Sequence, residues 1–163
     1  MMWDAVTEAM GGLYPDERPW HVTYPDEGYR LRAASAYPAA GHWHLVGYGL
    51  GERWGFELTL RVARGVEEQP PQWPFVLLDQ VAAYVASLDG PVEDGQWINW
   101  GAPVTGFPHT DGPDTGLTVL ILTEDPQLGG GRFLQLVGVT AAEADGRVEV
   151  PEDPLMVTDP ARA

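Results

Sequence analysis

The sequence contains no cysteine, which excludes disulfides, thiolate metal sites and cysteine nucleophiles. It contains no lysine either. All nine basic residues are arginine, set against 24 acids, for a formal net charge of −15. So negative a chain is ill suited to DNA or RNA, whose phosphates demand clustered cations. It suits a basic protein partner, through complementary electrostatic steering. Proteome-wide compositional bias produces the same balance, so charge alone names no partner. No apolar run approaches the length of about 18 residues that a membrane span needs. Met1-Met2-Trp3-Asp4 lacks the basic and apolar regions of a signal peptide, so the expected address is the cytoplasm. There is no Gly-x-Ser-x-Gly, no P-loop and no dinucleotide-binding glycine fingerprint, and Gly129-Gly130-Gly131 has no phosphate-binding context.

What is present is enough for one domain over residues 1–163. The chain is 44% hydrophobic, and at this length a core forms without staples. Trp3, Val6, Met10 and Leu13 recur at helical spacing and predict a helix over 2–13. Short strands are expected at 20–24, 29–37 and 41–50, with a turn at Pro25-Asp26-Glu27-Gly28. Residues 56–63 alternate, with Phe56, Leu58, Leu60 and Val62 on one face and Glu57, Thr59 and Arg61 on the other. Gly51 to Gly55 then reads as a hairpin-like connection.

Pro74 suits a first helical position. Phe75, Leu78, Val81, Ala82, Val85 and Leu88 form one apolar stripe, predicting a helix over 74–88 that Asp89-Gly90-Pro91 ends. Strands follow at 97–100, 117–123 and 132–139, a helical turn at 141–144 and a last strand at 155–157. Strand runs interrupted by helices without strict alternation indicate an α+β fold. It should hold a mixed, mostly antiparallel sheet and about two main helices. Phe56, Leu58 and Leu60 are expected to face the 75–88 stripe, because strand and helix must each bury an apolar face.

Three constellations could carry chemistry. His42 and His44 share a strand face and could offer two imidazoles to a metal, with His21, His109 or an acid as third ligand. The plainer use is hydrogen bonding by one histidine, with the other near the surface. Glu124-Asp125 ends an apolar strand, where two acids could serve acid–base work or simply shape a turn. Seven tryptophans is a high count; packing is their commoner use, but Trp54, Trp73, Trp97 and Trp100 lie beside turns, where an aromatic can anchor a partner.

Several segments, in order, resemble the suppressor-of-fused domain family. They are Leu13-Tyr14-Pro15-Asp16; His42-Trp43-His44 with Gly47-Tyr48-Gly49-Leu50; Gly55 through Val62; and Pro70-Pro71-Gln72-Trp73-Pro74. The others are Trp97-Ile98-Asn99-Trp100; Leu122 through Gln127; Phe133 through Val139; and Val157-Thr158-Asp159 with Arg162. The resemblance implies an α+β domain with no established catalytic activity; no metal or cofactor is expected, because the chain lacks cysteine and a third ligand near the His pair. Animal members hold zinc-finger transcription factors as an added β strand between two domains, and this sequence is expected to supply only one side of such a clamp. Single-domain bacterial members resemble immunity proteins of polymorphic toxin systems.

The resemblance also implies a partner-binding surface. Tyr84 matches the tyrosine late in the Trp-Pro helix. Val92 matches the apolar position of the following loop, where animal members carry an aromatic. Gln96, after Gly95, stands where the family has an acid, and Glu124 matches the acid after the strand threonine. Trp97 joins them as an aromatic anchor. The expected function is therefore protein binding, with a basic toxin as partner. Two alternatives stand beside it: a peptide-binding scaffold acting by strand addition, and a metal-dependent or carboxylate hydrolase.

Overall fold

A computed structural model describes residues 2–25, 28, 30–88 and 92–163. The expected turn at Asp26-Glu27, the Tyr29 start of the second strand and the Asp89-Gly90-Pro91 stop lie outside the described residues. Helix α1 covers Met2–Leu13, and strands β1 to β3 cover Trp20–Thr23, Ala33–Ala39 and His42–Tyr48. A helical turn α2 (Gly51–Trp54) leads to β4 (Glu57–Ala63), and α3 (Trp73–Ser87) to β5 (Gln96–Asn99). Then come β6 (Leu117–Glu124), β7 (Phe133–Thr140), the helical turn α4 (Ala141–Ala144) and a 3-10 turn at Pro160–Arg162.

All the strands lie in one sheet, ordered β1-β2-β3-β4-β7-β6-β5. Every neighbouring pair is antiparallel except β4 and β7, which run parallel with Leu58 opposite Leu134. The fold is α+β with a mixed, mostly antiparallel sheet. No helix among the described residues is long and apolar enough to cross a membrane.

Two layers cover the sheet. Helix α3 packs its Phe75, Leu78, Val81, Ala82 and Val85 stripe with Phe56, Leu58, Leu60 and Val62 in the main core, as the periodicity predicts. Burying each such side chain contributes about 1.5–3 kcal/mol. The start of α3 has no side-chain cap of its own. Asp111 supplies one from a distant loop, accepting the Gln72 and Trp73 amides at 2.8 Å each. Gly112 is needed beside it, because a Cβ there would lie 2.7 Å from the Thr105 carbonyl oxygen and 3.0 Å from Trp73 Cγ.

Helix α1 covers the opposite face, with Val6 and Met10 fully buried against Tyr37, Val46 and Tyr48. Consequently the polar side of β4 is not solvent-facing. Glu57, Thr59 and Arg61 are all buried.

Two local expectations are corrected. Gly51–Gly55 is a helical turn rather than a hairpin connection, closed by Gly55 at φ 81°. The Glu57 carboxylate holds its start by accepting the amides of Gly49, Leu50 and Gly51 at 3.0–3.1 Å. Residues 155–157 form no strand. The tail meets the sheet in a single parallel bridge between Val62 and Thr158, beside a turn whose Asp153 carboxylate accepts the Leu155 and Val157 amides.

Candidate partner-binding site

Strand β5 ends the sheet and pairs on one side only, with Gln96 opposite Leu122 and Asn99 opposite Val119. Ile98 anchors it in the α3-side core, and Val92 packs there from the preceding loop. By strand alternation Gln96 shares the face of Ile98, and Glu124 the face of Leu122. Tyr84 projects from α3 one residue before buried Val85 and is 36% exposed. Thus Tyr84, Val92, Gln96 and Glu124 all lie on the α3 side of the sheet, the last three at its β5 end.

Trp97 does not. It is 46% exposed on the opposite face, where it lines a cavity of about 330 Å3 with Val119, Ala141 and Ala144. The expected cluster of five is therefore divided by the strand itself.

Asp94 is a residue that the sequence reading missed. Its carboxylate accepts the Thr123 hydroxyl and the Glu124 amide, both at 2.9 Å, clipping the loop before β5 to the end of β6. The Glu124 amide, then the Thr123 hydroxyl, hold its carboxyl below the usual range. Gln96 is neutral, but Asp94 and Glu124 keep the edge negative. The signal was in the sequence as Glu93-Asp94 just ahead of Gly95-Gln96.

His42 and His44 of the first constellation and Asp125 of the second meet in one network on the α1 side, while Glu124 stays exposed. Arg61 donates from Nε to Gln135 at 2.9 Å, from Nη1 to His42 at 3.1 Å and Gln127 at 2.9 Å, and from Nη2 to Asp125 at 2.9 Å. The second Asp125 oxygen accepts His44 Nε2 at 2.9 Å and the Thr59 hydroxyl at 2.8 Å. His44 Nδ1 meets the Tyr14 hydroxyl at 2.7 Å.

Burial, then the Arg61 charge, lower the pKa of His44 against the opposing pull of Asp125. A neutral ring then donates from Nε2 to the carboxylate and accepts from Tyr14 at Nδ1. Burial works to raise the Asp125 carboxyl. The His44 hydrogen bond, the Arg61 charge and the Gln127 amide outweigh it and hold the group far below the carboxylate range. His42 Nδ1 lies 3.2 Å from the Ala40 carbonyl oxygen, and burial and then Arg61 lower its pKa. Both nitrogens of both rings are engaged within the protein, and Arg61 stands where a second cation would have to sit. No group of three metal-ligating side chains occurs among the described residues. The network's geometry is that of a brace rather than of an open site.

The sheet thus carries an exposed, acid-flanked edge at β5 and, among the described residues, a charge network centred on the buried Arg61–Asp125 pair. A sequence model of the Suppressor of fused protein (SUFU) family matches residues 27–149, and the chain belongs to that family. It is 29% identical to the Suppressor of fused homolog of Mus musculus and 31% identical to that of Homo sapiens. Each match covers 80% of this chain and 34% of the relative, so the chain spans about a third of their length. Among solved structures, the Sufu–Fu complex contains a chain with TM-score 0.82 and 23% identity, covering 98% of this chain and 90% of that one. Drosophila Suppressor of fused gives TM-score 0.80 at 23% identity, over 97% of this chain and 49% of that one. A SUFU homolog from Neisseria gonorrhoeae gives 0.66 at 14% identity, over 88% and 80%. The same fold thus occurs in animals and in a bacterium.

Proposed function

We propose that residues 1–163 act as a single, non-catalytic protein-binding domain in the cytoplasm. Its partner is a basic protein gripped at the β5 edge, and the biological setting is that of a bacterial immunity protein neutralising its cognate toxin. One observation carries this reading. The free edge of β5 is flanked on one face by exposed Tyr84 and the carboxylates of Asp94 and Glu124, and on the other by exposed Trp97. Acids supply long-range attraction, and the two aromatics supply the apolar anchors in which binding energy concentrates. Membership of a family in which Sufu has been crystallised with Fu supports protein binding as the task.

The test is rescue. Cells expressing a toxin encoded beside this gene should grow when the chain is co-expressed and fail when the chain carries Tyr84→Ala with Glu124→Lys. Rescue undiminished by the double variant, with the fold intact, moves the interface elsewhere. No rescue and no complex removes the immunity reading.

A second reading has its own observation: β5 has one ladder partner, so an extended peptide could pair along its outer side. Amide exchange separates the two. A strand-adding peptide protects the β5 backbone amides, whereas a folded toxin resting on Tyr84 and Glu124 does not require this. Burial of His42, His44 and Asp125 within the brace weighs against the hydrolase reading, which keeps only Glu124 at the surface.

A further inference from the structure

The far edge of the sheet also carries a surface. Strand β1 is the other terminal strand, and Trp20 at its start is 42% exposed. Beside Trp20 lies a groove of about 610 Å3, walled by Tyr14, Trp43 and Pro38 and rimmed by Asp16, Glu17 and Glu68. The groove already shows one way of holding a cation: the Arg64 guanidinium lies over Trp43, with Cζ 4.1 Å from the ring centroid. Trp20 has no ring or cation against it among the described residues, and none of the three carboxylates has an ion-pair partner there. Three carboxylates against the single Arg64 leave the groove net negative.

We propose that this groove binds an extended, arginine-bearing segment of a protein partner, with a guanidinium stacked on Trp20 and paired with the Asp16, Glu17 and Glu68 rim. Arginine fits better than lysine because a planar guanidinium stacks on an indole while donating in its own plane to carboxylates. The segment is extended because β1, which leads away from the groove at Trp20, has no ladder partner on its outer side. Trp20 starts β1, which lies six strand spacings, about 29 Å, from β5, so this reading stands apart from the β5-edge reading and either can fail alone.

The probe is the blocked hexapeptide Gly-Val-Arg-Val-Arg-Gly, compared with the same peptide carrying citrulline, which is isosteric and uncharged. Titration is followed through the indole N–H resonances at physiological salt, with Trp20→Phe assigning its signal. A saturable shift of the Trp20 resonance is expected, with Trp97 unmoved. The citrulline peptide should bind about tenfold more weakly or less, and so should the arginine peptide to Trp20→Ala or Glu68→Gln. Tyr84→Ala and Glu124→Lys should leave this binding unchanged. No saturable shift overturns the proposal. So does a diffuse shift that survives Trp20→Ala, which would be general attraction to a chain of charge −15. So does movement at Trp97 alone.

Discussion

Arg61 Nη2 donates to Asp125 Oδ1 at 2.9 Å, and neither side chain reaches solvent. The bond ties β4 to the β6–β7 loop across the one parallel pairing of the sheet. It also gives two neighbouring acids opposite work: Asp125 is turned inward to hold the scaffold, while Glu124 is exposed at the β5 edge.

Breaking this pair from one side should be costly. Asp125→Leu leaves Arg61 charged and buried without its counter-ion, and should destabilise by about 3–5 kcal/mol. Adding Arg61→Met to it removes the stranded charge, so the double variant should be more stable than the single one. Urea unfolding measures both. A loss of under about 1 kcal/mol for the single variant would show that water or another group replaces Asp125.

Acidification should weaken the fold through the histidines first. His44 and His42 have folded pKa values below their unfolded ones, so their contribution is present above about pH 6.5 and is lost as pH falls through the folded values. Asp125, also depressed, adds a loss of the same sign, beginning below about pH 4. Glu57 opposes both: burial raises its pKa against the pull of three amides, so its contribution lies on the acid side and is lost as pH rises. Relief of mutual repulsion among the excess acids opposes them too. The clean measurement is therefore a difference. His44→Gln should show a shallower fall in urea midpoint between pH 7 and pH 5 than the wild type, and equal slopes would mean that His44 does not titrate in that window.

The Leu58→Ala change tests the main core. Leu58 is fully buried beneath α3, and its truncation should cost about 2–5 kcal/mol. Chemical denaturation with an unchanged m-value would report a simple loss of packing.

Asp111→Ala should cost about 0.5–2 kcal/mol, because the first amides of α3 lose their acceptor. Hydrogen exchange at the Trp73 amide should accelerate more than exchange at mid-helix. Uniform acceleration along α3 would mean that the cap acts only through global stability.

The division of the proposed partner surface gives a kinetic prediction. Glu124→Lys should mainly slow association and reduce its salt dependence, whereas Tyr84→Ala should mainly speed dissociation. Tyr84 and Trp97 lie on opposite faces of β5, so their alanine effects on affinity should add within about 0.5 kcal/mol. Strong coupling between them would require a partner element that touches both faces at once.

The apolar side of the fold was legible because its signals are local. The α3 stripe and the Phe56–Val62 alternation each lie within one element, and both pack as their periods require. The polar side of β4 was not legible as interior. Its partners, Asp125 and Gln135, stand more than sixty residues away in sequence, and a lone Arg61 or Asp125 reads as surface until they meet. Such distance also hid the role of His44, whose partner Asp125 is 81 residues away. The proposed partner positions rest on family resemblance, and their division by β5 follows from a parity that only the sheet register fixes.

A ribosome delivers β4 well before β7, because α3, β5 and β6 come between them. During that interval β4 is the outermost strand of the β1–β4 meander, with a row of bare backbone donors and acceptors on its free side. Such a margin captures strands from neighbouring nascent chains unless something discourages it, and a charged side chain pointing inward from the strand is one effective deterrent. Arg61 is that side chain. On a β4 still lacking its neighbour that charge has no counter-ion, and Asp125, from the β6–β7 loop, supplies one only after β6 is made.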